Sequence, residues 1–273
     1  MMKSSVTISL VNEARGGPFV YWADVQEACK EAKALGFTGI EIFAPGPEAL
    51  AKSEAAKIAT DHGLKIAALG TGGGWVLHKW TLTSPDEKTR SNAKDFIARM
   101  IEAGAPHGAP AIIGSLQGRH CESVDQIQAH AYLEEALIYL SQKAKSAGTI
   151  LLFEPLNRYE SNLIRTVEEG MSLISKVGQS SSLKLLCDLF HMNIEETNIA
   201  DSLRKCGEMV GHVHLADSNR KPAGLGHTDF KPIAAALKEI NYQGFVSAEA
   251  LPLPDSSKAA NHTIDCFNRY FKS

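Results

Sequence analysis

Four short apolar runs in this chain end on, or carry, residues that can bind a hard cation or move a proton. The run LLFE ends on Glu154, LLCD ends on Asp188, HVHL carries His212 and His214, and VSAE ends on Glu249. In an extended strand, alternate residues share a face, so His212 and His214 lie together with Val213 opposite. One strand-end acid is unremarkable, because most carboxylates simply stay solvated. Three carboxylates and an imidazole brought to one place are different. Crowded carboxylates repel one another and need a compensating cation. Oxygen donors with a single nitrogen suit Mn²⁺, Mg²⁺ or Co²⁺ better than a thiolate-seeking metal. Structural zinc would require a closed Cys/His set instead.

For these residues to meet, the chain must deliver four run ends to one location. Its 273 residues alternate β-branched apolar runs with longer amphipathic ones. Strands are predicted at 6–11, 38–43, 64–69, 111–114, 150–154, 183–188, 210–215 and 245–249. Helices are predicted at 21–35, 47–62, 84–103, 124–147, 166–177, 199–206, 230–240 and 256–270. Gly36, Gly63 and Gly148 stop three of these helices. Ser84-Pro85-Asp86-Glu87 supplies a cap and an early acid at the start of another. No Pro/Ser-rich linker or charge block interrupts the alternation. It therefore predicts parallel strands covered by helices. Eight such units suit a (β/α)₈ TIM barrel, α/β in class and one domain over 1–273, although counting alone leaves a doubly wound sheet open. A barrel of this kind gathers its functional groups at the C-terminal ends of the strands. Glu154, Asp188, His214 and Glu249 fall at or near the ends of four consecutive ones.

Composition narrows the partners. A formal net charge of −3 gives no electrostatic reason to expect nucleic acid. The five cysteines are widely spaced, with no C-x-x-C pair, which suggests neither a disulfide framework nor a zinc knuckle. A reducing cytoplasm is the expected location. The apolar run near the N-terminus is too short for a signal peptide or a membrane span, so no membrane partner is expected.

The loops after these strands add Glu160, His191 and Arg220, which can meet hydroxyls or a negatively charged group. Here a resemblance becomes specific. The segments EPLNRYE (154–160), CDLFHMNIEE (187–196), HVHLADSNR (212–220) and FVSAEALPLP (245–254) resemble the ketose 3-epimerase family. That family includes the D-tagatose and D-psicose 3-epimerases within the xylose-isomerase-like barrel superfamily. The nearest resemblance is to its 5-keto-L-gluconate (D-tagaturonate) epimerase-like branch, which ALGTGGGW (68–75) and IIGSLQGR (112–119) also fit. It covers nearly the whole chain and is densest over 150–254.

The resemblance implies roles. One divalent metal ion, Mn²⁺ foremost, would be held by Glu154, Asp188, His214 and Glu249. Substrate hydroxyls would meet Glu160, His191 and Arg220. Glu154 and Glu249 would also be the acid/base pair at carbon 3 of a ketose or ketohexonate. A metal-bound enediolate would make the carbon-3 proton acidic enough to remove. One glutamate would take that proton and the other would return one to the opposite face. Removal of a carbon-1 proton with return to carbon 2 would instead give a ketose–aldose isomerase. The implied partners are a sugar or sugar acid and, within the protein, a homodimer or homotetramer.

Three rivals are weighed against this. Hydroxypyruvate isomerase shares the metal and two-glutamate logic. A non-catalytic sugar-binding barrel would not need both glutamates. An AP-endonuclease-like nuclease needs extra histidines on the third and fourth strands, which here end IAALG and AIIGS. Gly70 to Gly74 reads as a loop over the site; a dinucleotide fingerprint needs a small residue at Trp75 and a helix opening at once. Trp75 and Trp80 are expected on that mouth loop, and His227 at the surface. Glu41, at the end of the second strand, faces the same mouth if its parity holds. No glycine loop cradles phosphate at a helix start, so the expected substrate is a free ketohexose or ketohexonate. A sugar acid would need a cation for its carboxylate. Arg220 would supply it, with Arg119 or Lys221 assisting.

Overall fold

Eight longer parallel strands close on themselves in the structure, a computed structural model that describes residues 1–179 and 181–272. They are β1 (Lys3–Ser9), β3 (Gly39–Phe43), β4 (Lys65–Gly70), β5 (Ala111–Ile113), β6 (Leu151–Phe153), β7 (Leu183–Asp188), β8 (Val210–Leu215) and β9 (Phe245–Ala248). Each pairs with the next, and β1 pairs with β9 through Ser5 opposite Ser247, which closes the barrel. A two-residue strand, β2 (Tyr21–Trp22), lies outside β1. The closed α/β barrel predicted from the alternation is the fold observed. No helix among the described residues is long and apolar enough to cross a membrane.

Period-two alternation divides the strands between two cores. Leu151 and Phe153 of β6 join the large apolar layer beneath the helices, while Leu152 faces the barrel interior. There it packs with Ala68, Ile112 and Leu186 in a separate apolar cluster drawn from β4 to β7. The remaining side of the interior is polar. Thr7, Glu41, His212 and Ser247 come from β1, β3, β8 and β9, and all are buried. The register confirms that these residues share one face: Thr7 lies opposite Glu41, Glu41 opposite Ala68, and His212 opposite Leu186. Buried polar groups need partners, so this half of the interior is where a specific arrangement is built.

Several element boundaries differ from the sequence reading. The helix expected over 21–35 begins only at Val25, as α1 (Val25–Leu35), because Asp24 accepts a cap bond from the Glu27 N–H at 2.9 Å. The helix expected over 47–62 is two helices, α2 (Pro47–Lys52) and α3 (Ala55–Asp61), broken where Glu54 takes a left-handed φ of 50°. The segment read as a loop after Gly70 folds into a short helix, α4 (Gly73–His78). The loop after Asp188 is likewise a helix, α8 (Leu189–Glu195). Strands predicted to reach Gly114, Glu154 and Glu249 stop just short of them. The remaining helices are α5 (Glu87–Gly104), α6 (Gln126–Ser146), α7 (Val167–Val177), α9 (Ile199–Cys206), α10 (Phe230–Glu239) and α11 (Ser256–Tyr270).

Candidate active site

Glu154, Asp188, His214 and Glu249 converge at the C-terminal mouth of the barrel, with one ligand-type atom from each lying within 4.8 Å of all the others. Local structure explains each placement. The Glu154 N–H still donates to the Ile113 carbonyl at 2.9 Å, so the residue continues the β6 ladder one step past its end. Its own carbonyl accepts from Gln117 Nε2 at 3.0 Å. Opposite it stands Gly114, where any Cβ would come within 2.5 Å of Glu154 Oε2. The missing side chain is what makes room for the carboxylate. Asp188 divides its two oxygens between tasks. Oδ1 caps α8, accepting from the N–H groups of Phe190 at 2.7 Å and His191 at 3.3 Å. Oδ2 faces the other ligands, 3.4 Å from His214 Nδ1.

His214 is held from behind. Its Nε2 lies 3.0 Å from Glu41 Oε1, and Nε2 of His212 lies 2.7 Å from Glu41 Oε2. One buried carboxylate thus receives both imidazole N–H groups. That leaves Nδ1 of His214 facing Glu249, Asp188 and Glu154 at 3.2, 3.4 and 3.6 Å. This Nδ1 is buried and has no hydrogen-bond partner. Strand parity alone places Glu41 toward the mouth only if the strand boundary holds. The structure places it fully inside, against both histidines.

Arg220 is the positive group already present. Its Nη1 donates to Asp188 Oδ2 at 2.6 Å, its Nη2 donates to Glu249, and its guanidinium stacks over Phe190. Both contacts use the cation that a sugar acid was expected to need. Arg119 instead donates to the backbone carbonyls of Tyr159 and Glu160, and Lys221 is exposed. Arg220 takes a left-handed φ of 61° in a loop organised by buried Asp217. Asp217 accepts from the N–H groups of Ser218 and Gly224 at 2.8 Å and of Thr228 at 3.0 Å. Removing it leaves those donors without their acceptor. Asp217→Ala is expected to cost about 1–3 kcal/mol in thermal unfolding at neutral pH. Burial pushes the Asp217 carboxyl up, but the backbone N–H groups prevail and hold it below its ordinary value. A depressed carboxyl stabilises above its unfolded pKa and loses that contribution as the pH falls through the folded one. The deficit of the variant should therefore shrink in acid, and a deficit that grows in acid would refute this account.

Charge is unbalanced at the centre. Burial raises the Glu154 carboxyl, and the neighbouring Glu249 charge adds to that, so it sits above its ordinary value despite His214 and His191. At Asp188 burial acts the same way, but the Arg220 guanidinium and the two histidines override it and hold the carboxyl well below the usual range. Glu41 is likewise held low against its burial by His214 and His212. Three carboxylates thus share one arginine and one imidazole edge. An orphaned nitrogen aimed into that group fits a divalent cation. Glu154, Asp188, His214 and Glu249 are the residues that would hold it.

His191 lies beside this group, with Nε2 3.7 Å from Glu154 Oε1. Its other nitrogen is set by Asn157, which the sequence reading passed over. The Tyr159 N–H donates to Asn157 Oδ1 at 2.9 Å, fixing the amide, so Nδ2 must be the donor to His191 Nδ1 at 2.7 Å. The same Nδ2 donates to Glu160 Oε1 at 2.9 Å. His191, Glu160 and Arg220 all line a cavity of about 290 Å³ above the four-residue cluster. His227 is exposed and bonded to Ser218, away from this group.

The family model described as xylose isomerase-like TIM barrel matches residues 29–270. This chain belongs to that family. Its curated relatives include sugar epimerases. It is 31% identical over 243 residues to a D-psicose 3-epimerase of Agrobacterium fabrum, covering 86% of this chain and 79% of that protein. It is 30% identical over 236 residues to a 3-dehydro-D-guloside 4-epimerase of Escherichia coli K12, covering 83% of this chain and 87% of that protein. A D-psicose 3-epimerase of Enterocloster bolteae is 46% identical over 105 residues, 38% of this chain and 35% of that one. The solved D-psicose 3-epimerase of Clostridium cellulolyticum H10 superposes with a TM-score of 0.80 at 22% identity over the full length of both chains, which speaks for the fold. The family resemblance drawn from the segments between 150 and 254 is thus met.

Proposed function

We propose that this protein is a metal-dependent epimerase acting at carbon 3 of a ketose or ketohexonate, with Glu154 and Glu249 as its proton-transfer pair. The observation that carries this reading is the buried, unpartnered Nδ1 of His214 among three carboxylates. Relatives with different substrates point to the same reaction class. A psicose 3-epimerase and a 3-dehydro-guloside 4-epimerase both invert the carbon next to a ketone. That carbon is the one whose proton a neighbouring carbonyl acidifies.

When bound, a divalent ion supplies the positive charge that offsets negative charge developing on the substrate oxygens. Mn²⁺ is the first choice for this donor set, with Mg²⁺ or Co²⁺ as substitutes. The chain does the rest. One glutamate takes the proton from carbon 3, and that bonding pair moves toward the adjacent carbonyl oxygen. The other glutamate delivers a proton to the opposite face, and the pair returns to carbon 3 with the centre inverted. His191 and Glu160, linked through Asn157, are placed to orient substrate hydroxyls. Arg220 keeps Asp188 and Glu249 in position.

The test is a panel of free ketoses, ketohexonates and phosphorylated ketoses, assayed in deuterated water with Mn²⁺ and with chelator. Deuterium should enter at carbon 3, only with metal, and without preference for a phosphate. Exchange at carbon 1 with aldose formation would favour a ketose–aldose isomerase instead. No exchange in any sugar of the panel would reject the reading.

A further inference from the structure

The cavity above the four-residue cluster does not end there. A second cavity, of about 590 Å³, adjoins it and shares Ser115, Leu156 and Glu160 with it. At about 290 Å³ the first cavity lies at the lower end of the range for small-ligand sites. We propose that the second cavity holds a neutral, non-reacting sugar ring, so that the natural substrate is a ketose unit in glycosidic linkage. This rests on the epimerase reading of the first cavity and names its substrate class.

The lining has the chemistry for such a ring. Trp75 and Tyr159 are 40% and 77% exposed, and both border the second cavity. Both rings offer an apolar face with a polar edge, and Lys79 Nζ lies 4.9 Å from the centre of the Trp75 ring. Thr81 and Ser84 add hydroxyls to the same wall. The charged groups are engaged elsewhere. Arg119 donates through Nε to the Glu160 carbonyl at 3.3 Å and through Nη2 to the Tyr159 carbonyl at 2.9 Å. Glu160 is bonded to Asn157 on the side of the first cavity. A wall of hydroxyls and aromatic faces, with its arginine spent on backbone, suits a neutral ring better than a phosphate or carboxylate.

The second cavity also has a fixed floor. Gly118, at a φ of 82°, packs so closely on Thr81 and Thr83 that a Cβ would strike the Thr83 hydroxyl. Thr83 Oγ1 donates to the Arg119 carbonyl at 3.1 Å. His120 and Asn162 exchange two hydrogen bonds, at 3.0 and 3.1 Å, that clamp the neighbouring loops together. Tyr159 and Glu160 sit on one such loop, so a single short segment borders both cavities.

Cys121 supplies a reporter. It borders the second cavity and is exposed, whereas Cys29, Cys187, Cys206 and Cys266 are buried. The Ser123 hydroxyl and backbone N–H groups lower its thiol pKa, which favours alkylation at mild pH. The Mn²⁺-loaded enzyme would be treated with iodoacetamide in the presence of D-fructose, D-tagatose, lactulose or isomaltulose. Lactulose and isomaltulose carry a second ring on different carbons of the ketose. At least one of them should slow Cys121 alkylation by about tenfold, and its KM should be about tenfold below that of the free ketoses. Tyr159→Ala should reduce that KM ratio toward unity. If neither extended ketose protects Cys121 beyond what the free ketoses do, the proposal is overturned. Protection without hydrogen exchange in any ketose would leave the subsite standing and reject the epimerase reading.

Discussion

Glu249→Gln should lower epimerisation by about 10³-fold in both directions, within the range by which a positioned acid or base accelerates proton transfer. Its effect on isotope exchange should be one-sided. If each glutamate serves one face of carbon 3, only the epimer that presents its proton to Glu249 loses exchange. The opposite epimer still meets Glu154, and should exchange its proton with solvent without inverting. Glutamine preserves the size of the side chain and one oxygen, so it can still face His214 and Arg220. Metal occupancy, measured on the same sample, separates loss of the base from loss of the ion. Exchange from both epimers at the wild-type rate would remove Glu249 from the proton-transfer pair.

Glu41→Gln should weaken Mn²⁺ binding by about 10- to 100-fold, the usual penalty for losing a group that orients a metal-binding histidine. Two imidazole N–H groups end on this one carboxylate, at 2.7 and 3.0 Å. A glutamine offers one oxygen, so it can satisfy only one of them. Its amide N–H would then face the other imidazole N–H, leaving a buried donor unpaired. The ring of His214 would lose the contact that turns Nδ1 toward the carboxylates. Titration of the apo-protein with Mn²⁺, followed by electron paramagnetic resonance, measures this without any turnover. Affinity unchanged from wild type would mean that strand packing alone orients the ring.

The barrel and the central cluster were readable in the sequence for the same reason. Alternation along a strand is a rigid geometric rule, so a ligand-type residue at the end of each of four runs fixes both its face and its height. Glu41 was readable only conditionally, because its parity depended on a strand boundary that one residue could shift. Asn157 was not readable as a positioning residue. Its task lies in two contacts, with His191 and Glu160, that exist only once α8 and the loop after β6 are folded together. Helix α8 itself was missed because its cap is Asp188, which parity had already assigned to the site. One carboxylate serves both ends of that description, and a sequence pattern cannot reveal that its two oxygens are divided. The second cavity was illegible for a further reason. Its walls come from segments near 75–85, 115–121 and 156–160, and nothing local to any of them marks a shared space.

The interior of the barrel is split, with Ala68, Ile112, Leu152 and Leu186 on one side and Glu41, His212 and His214 on the other. The apolar side lies beneath the loops that follow β4 and β5, and these loops form most of the second cavity. A change in those loops rests on a greasy wedge and need not disturb the charged network across the barrel. On the proposed reading, the substrate range can drift while the reaction stays constant. Laboratory evolution confined to residues 75, 81–85 and 119–121, which spares Gln117 and its bond to the Glu154 carbonyl, is the natural place to retarget it.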